Sequence, residues 1–183
     1  MSASQAEPGQ ARLCASGAGA AATALVVDLF ERYHEEIYGY LCGVLRDPAW
    51  AEDLAQETFV RALQARRRLP EVRNPRAWLY RVATNAALNA LRRRRRFAWL
   101  PWRASDVPHH APDVADQVAG HHELEAALGS LAPAYRAPLL LYAQFGLSPA
   151  EVAEALGLSL AAARKRIYRA TEMFRRACEG GAR

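Results

Sequence analysis

The stretch Arg73–Arg96, RNPRAWLYRVATNAALNALRRRRR, constrains this chain more than any other because it has one way to bury its apolar residues. It holds eight arginines and no Asp or Glu. From Trp78 onward, Leu79, Val82, Ala83, Ala86 and Ala90 recur at helical spacing, and Pro75 suits a first helical turn. Arg81, Asn85, Asn89 and Arg92 follow at steps of four, four and three, so they line the opposite side. The apolar seam has to dock on neighbouring helices. The cationic, amide-bearing face suits nucleic acid, since guanidinium groups meet phosphates and asparagines bond base edges. Taken alone, the stretch also reads as a solvated basic helix.

The segments before it supply helices to dock on. Over Leu25–Leu45, the positions Val26, Leu29, Phe30, Tyr33, Ile37, Tyr40, Leu41 and Val44 step by three and four, which predicts an amphipathic helix. Asp47-Pro48 breaks it. A second helix, about 49–67, turns Ala51, Leu54, Ala55, Thr58, Phe59, Ala62 and Leu63 to one face. Its other face carries Glu52, Asp53, Gln56, Glu57, Arg61 and Gln64, with acids early and arginines late, as the helix dipole favours. That acidic face reads either as solvation or as a docking surface for a second protein. Three facing stripes make a small bundle. Residues 1–24 are mostly Ala, Gly and Ser, and are expected to form a disordered lead-in rather than a signal peptide.

Residues 97–120 change character. Pro101, Pro108 and Pro112, with Asp106, Asp113 and Asp116, predict an acidic, helix-poor linker that opens on Trp99 and Trp102. Beyond it, Leu124, Leu128 and Leu131 share a face, and Tyr135–Phe145 forms an apolar helix ending at Gly146. Ser148 with Glu151 three residues on, and Pro149 between them, is a capping box that opens a short helix with Val152, Ala153 and Leu156 inward. After the Gly157-Leu158-Ser159 turn, a last helix faces inward with Ala163, Ile167, Ala170, Phe174 and Ala177. Two helices on a tight glycine turn form a helix-turn-helix, whose second helix enters the major groove. Arg164, Lys165, Tyr168 and Arg169 lie on its outward side, Arg175 and Arg176 extend the charge, and Arg166 leans toward the core. The fold class expected is therefore all-α, with two small helical domains joined by a flexible linker.

Composition narrows the function. A net charge of +5 points to a polyanionic partner. Cys14, Cys42 and Cys178 are odd in number and far apart, so reduced thiols are expected. His109, His110, His121 and His122 lack helical ligand spacing and a nearby cysteine, so no metal site is expected. No apolar run reaches the roughly 18 residues of a membrane span, so no membrane insertion of its own is expected. No glycine-rich phosphate loop, HExxH, CxxC pair or nucleophile elbow occurs, so no catalytic residue and no cofactor is expected.

Three stretches, DPAWAEDLAQETFVRAL at 47–63, NPRAWLYRVATNAALNALRRRRR at 74–96 and the helix-turn-helix at 147–177, together give a specific likeness. In that order and spacing the chain resembles the extracytoplasmic-function subfamily of bacterial RNA polymerase sigma factors, from about Leu25 to Ala177 apart from the linker. The resemblance implies a sigma region 2 at 25–96, a linker at 97–120 and a region 4 at 121–179. It implies that Asp53, Gln56 and Glu57 dock on the coiled coil of the largest subunit of core RNA polymerase. The linker would thread toward the enzyme interior, its acidic residues mimicking nucleic acid, and the second-largest subunit of core polymerase is implied as a partner beside the largest. It further implies that Arg73, Asn74, Asn85 and Asn89 lie near an unpaired −10 strand, with Arg81 and Arg92 on the same face and Trp78 packing the platform. Trapping unpaired bases melts DNA without ATP, at a cost of a few kcal/mol in unstacking.

Ala162, Arg164, Lys165, Tyr168 and Arg169 would read the −35 element. There the chain departs from the family: Ala161-Ala162-Ala163 stands where a Gly-Thr-Val run is usual, which removes a hydroxyl contact to phosphate. The resemblance also implies promoter DNA and an anti-sigma factor as partners. It implies a cytoplasmic, nucleoid-associated protein that an anti-sigma factor can hold at the membrane, with both DNA-reading surfaces exposed when the protein is free. The alternative is a stand-alone helix-turn-helix regulator, which needs neither an acidic docking helix nor a cationic helix bearing asparagines.

Overall fold

A computed structural model of the chain describes residues 8–97 and 119–181, with side chains described over 19–96 and 124–180. Helix α1 spans Pro8–Leu45, α2 Pro48–Gln64 and α3 Pro75–Phe97, with a 3-10 turn at Leu69–Glu71 before α3. Then α4 spans Ala119–Ser130, α5 Pro133–Ala143, α6 Pro149–Leu156 and α7 Leu160–Gly181. No strand occurs among the described residues.

Local chemistry sets most of these boundaries. Asp47 caps α2 by accepting from the Trp50 amide at 3.1 Å, and Pro48 fills the first turn. Asn74 caps α3 in the same way, accepting from the Ala77 amide at 3.0 Å. At α6 the capping box is complete, because Ser148 Oγ accepts from the Glu151 amide while the Glu151 carboxylate accepts from Ser148. Gly157 ends α6 at φ +62°, a left-handed conformation in which its missing Cβ avoids strain. Residues 98–118, including Trp99, Trp102, His109 and His110 of the expected linker, lie outside the described residues.

Three expectations are corrected. The first helix begins at Pro8, so residues 8–24 are not a disordered lead-in. Alanine loses the least entropy on entering a helix, and Ala22 and Val26 are buried. Phe30, expected inward, is 45 % exposed and instead lies edge-on against Phe59 at 5.0 Å. Helix α2 stops at Gln64 rather than 67, since the chain must turn before Pro70.

Helices α1, α2 and α3 form an N-terminal bundle around Ile37, Tyr40, Leu41, Val44, Leu54, Leu79 and Tyr80. Helices α4–α7 form a C-terminal bundle, and the two share one continuous core that takes in Leu140, Leu141, Leu147, Val152 and Ile167. Helix α5 meets α1 at Gly43, where a Cβ would come within 2.8 Å of Leu140 Cδ1, and Phe145 approaches Gly39. Phe145 also packs against the rings of Tyr40 and Tyr80, each at 5.9 Å. Buried Arg136 ties the lobes at the other end of α5. It donates to the carbonyls of Leu128, Gly129 and Leu131 in its own lobe and to Val44 O of α1 at 2.9 Å. With no carboxylate among these partners, the guanidinium is balanced by the negative carbonyl ends of α1 and α4. Burial, then the nearby Arg46 charge, push Arg136 down to about 10, so it stays charged at neutral pH.

Candidate nucleic-acid interface

Helix α3 is held by its buried side so that its polar side stands free. Ala77, Leu79, Tyr80, Ala83, Ala86 and Ala87 are buried, and Trp78 is half-buried against the core. Thr84 Oγ donates to Tyr80 O at 2.7 Å, which leaves Tyr40 Oη to donate to Thr84 Oγ, also at 2.7 Å. This chain of hydroxyls fixes α3 on α1. The predicted stripe Arg81, Asn85, Asn89 and Arg92 is exposed along its whole length, and Arg92 donates to Asn89 Oδ1 at 3.1 Å. Arg92, Arg93, Arg94, Arg95 and Arg96 are all exposed. Arg94 lies over the Trp50 ring at 5.6 Å.

The start of α3 is built differently. Arg73 is exposed, but Asn74 is half-buried and donates from Nδ2 to Glu151 Oε1 of α6 at 3.3 Å. Arg76 donates through Nε and Nη2 to Glu36 of α1, and through Nη2 to Phe145 O at 2.8 Å. Burial alone would lower the Arg76 pKa, but the hydrogen bond and charge of Glu36 outweigh it and hold the group above its usual value. Glu151 is held below the usual carboxylate range, chiefly by the Ser148 amide and hydroxyl, with Asn74 adding to them. The expectation that both DNA-reading surfaces are exposed is thus corrected at Asn74, whose amide is taken by the other lobe.

Helix α7 presents a second basic face. Ala163, Ile167 and Ala170 are buried, while Arg164, Lys165, Tyr168 and Arg169 are exposed, Tyr168 by 68 %. Arg166, expected to lean toward the core, is also exposed. Ala162 is half-buried, and its amide is capped by Ser159 Oγ at 3.2 Å. Farther along, Tyr135, Tyr168, Arg169, Glu172, Met173 and Arg176 line an open cleft. Tyr135 of α5 had no sequence signal marking it for this face, because its position appears only once α5 packs on α7.

The acidic face lies on α2, which packs beside α3. Glu52, Asp53 and Gln56 are exposed, and Glu57 is half-buried with its carboxylate paired to Arg61. Val60 extends this face with exposed apolar surface, at 52 %, and Leu63, expected on the apolar face, is 43 % exposed as well. Among the described residues no cluster of His, Cys, Asp and Glu fits a metal, Cys42 and Cys178 are free, and no helix is long and apolar enough to cross a membrane.

Comparison with known proteins gives a consistent picture. Residues 29–97 match the family model of sigma-70 region 2, and residues 121–173 match that of sigma-70 region 4. The chain is 35 % identical over 150 residues to the RNA polymerase sigma factor CarQ of Myxococcus xanthus, covering 81 % of this chain and 86 % of CarQ. It is 32 % identical to the ECF RNA polymerase sigma factor SigE of Mycolicibacterium smegmatis, covering 81 % of this chain and 59 % of SigE. Against SigL of Mycobacterium tuberculosis, identity is 30 % over 87 % of this chain and 92 % of SigL. Its fold is similar to the sigma factor RpoE of Bartonella quintana in complex with the anti-sigma factor NepR, at a TM-score of 0.67, 20 % identity and coverage of 83 % and 95 % of the two chains. It is also similar to CnrH in complex with the cytosolic domain of CnrY, at a TM-score of 0.65, 24 % identity and coverage of 92 % and 97 %.

Proposed function

The chain belongs to the extracytoplasmic-function sigma factors, which direct promoter-specific transcription by RNA polymerase, and from that premise we propose how its surfaces divide the work. The acidic face of α2, with Asp53, Gln56 and Glu57, docks on the largest subunit of core polymerase. The second-largest subunit of core polymerase is a further partner in that complex. Arg73, Asn74, Arg81, Asn85, Asn89 and Arg92 of the α3 segment receive the unpaired −10 strand, with Trp78 fixing the helix beneath them. Ala162, Arg164, Lys165, Tyr168 and Arg169 of α7 meet the −35 duplex, where alanine at 162 leaves phosphate contact to the basic side chains. The protein performs no catalysis of its own, and an anti-sigma factor of the kind captured with RpoE is its natural inhibitor.

The observation that carries this reading is the α3 stripe. Four arginine and asparagine side chains stand exposed on one face, in a helix that contains no Asp or Glu. Arginine supplies sequence-independent phosphate affinity and asparagine supplies base-edge discrimination, so the stripe holds both parts of a strand-reading surface. The test is run-off transcription on genomic fragments with core polymerase from a related bacterium, with and without this protein. Initiation at discrete sites only in its presence is the expected result. DNA binding without initiation, together with failure to co-purify with core, would instead establish the stand-alone regulator.

A further inference from the structure

Asn89 and Arg92 lie on the exposed face of α3, and one contact joins them: Arg92 Nη1 donates to Asn89 Oδ1 at 3.1 Å. Chemistry forces the direction of that contact. A guanidinium has N–H donors and no acceptor, so the end of the amide that faces it must be the oxygen. Asn89 Nδ2 therefore turns away from Arg92, and among the described residues no group accepts from it. The local field keeps the pair together. Side chains on a helix lean toward its N-terminus, which carries Arg92 back over Asn89, and Arg95 and Arg96 one turn on repel it the same way. Helix α3 contains no Asp or Glu to draw the guanidinium elsewhere.

The asparagines of the segment thus differ in what they can offer a base. Asn74 commits its oxygen to the α3 cap, accepting from the Ala77 amide at 3.0 Å. Asn85 is exposed, and among the described residues its side chain makes no hydrogen bond. It keeps donor and acceptor both free, as bidentate pairing with N6 and N7 of adenine requires. Asn89 and Arg92 together present donors alone, from the amide nitrogen and from the guanidinium N–H groups not engaged by Asn89. Guanine, with O6 and N7 side by side, offers the matching edge. Adenine would bring its N6 donor against a cation.

We propose that Arg92 is a positioning residue for base recognition, holding Asn89 with its nitrogen outward so that the pair selects guanine and disfavours adenine at one position of the −10 element. The inference rests on α3 being the −10 reader. Between exposed side chains in water the contact is weak, but strand binding removes the surrounding water and strengthens it.

A promoter mapped by run-off supplies the probe, as a set of templates carrying each base in turn at every −10 position. Full-length protein with core polymerase is assayed on the set at limiting protein. Asn89→Ala should flatten the base preference at one position and leave the rest, which locates its base. There the wild type should favour guanine over adenine. Arg92→Met keeps a long stem and removes every donor, which frees the Asn89 amide to turn. It should shift the preference toward adenine by roughly fivefold or more, at that position alone. Arg92→Lys, still a pure donor, should retain most of the guanine preference. Circular dichroism should match wild type for all three variants, since both residues are exposed. Uniform weakening of every template by Arg92→Met, with preference unchanged, would make Arg92 a phosphate contact only and overturn the proposal. Adenine preference in the wild type at the Asn89 position would overturn it too. If Asn89→Ala changed preference at no position while initiation still required the protein, the reading of α3 would fail at Asn89, and the proposal with it.

Discussion

Arg136 is a cation that the fold cannot do without and cannot pair with an acid. Its guanidinium donates to four backbone carbonyls, one of them across the lobe boundary, and three of the acceptors, Val44, Leu128 and Gly129, sit in the last turns of α1 and α4. Arg136→Met keeps the volume and removes every donor, so those buried carbonyls lose their partners. The expected cost is roughly 2–4 kcal/mol, read as a lower urea midpoint, with Arg136→Lys falling between the two. Thr84→Val is a smaller test of the same kind. It strands the Tyr40 hydroxyl, which is buried with its ring and whose pKa is raised by that burial, and should cost about 1–2 kcal/mol. Neither residue was marked in the sequence. An arginine beside a leucine-rich helix reads as surface charge until the helix ends it satisfies come together.

At the scale of the element, what the sequence disclosed was what depends on nearest neighbours. The Ser148/Glu151 capping box, the Asp47-Pro48 break and the α3 stripe are local patterns, and each stands in the structure where the spacing put it, with Asp47 also capping α2. The start of α1 was misread because low hydrophobicity was taken as disorder, although alanine favours helix without needing a core. The glycines at 39 and 43 carry no signal in the sequence, and their place appears only against Leu140 and Phe145. The capping box also yields a pH test. Glu151 has a depressed pKa in the fold and returns to about 4.3 when unfolded. Its contribution is therefore full above about 4.3 and lost as pH falls through the lower folded value. Glu151→Gln should lower stability modestly at pH 7 and flatten the acid limb below about pH 4.3. Urea titrations at several pH values would check both.

For the whole molecule, charge is segregated by helix, with acids exposed on α2 and arginines on α3 and α7. Reversing Asp53 and Glu57 together to arginine should abolish run-off transcription while leaving circular dichroism and promoter-strand binding near wild type. Loss of all three readouts would instead make the acidic face structural. The lobe arrangement was the least legible feature, because a linker rich in proline announces two bodies and says nothing of whether they touch. One consequence concerns time rather than affinity. Beyond the stripe, Arg93–Arg96 are four consecutive exposed cations at the end of α3, and at about 100° per residue they point in every direction around the axis. Such a collar selects no orientation and reads no base, but it gathers polyanion from any approach, so its influence falls on encounter. Halving its charge should slow association with single-stranded DNA steeply at low salt and barely change dissociation, as rapid mixing at several salt concentrations would show.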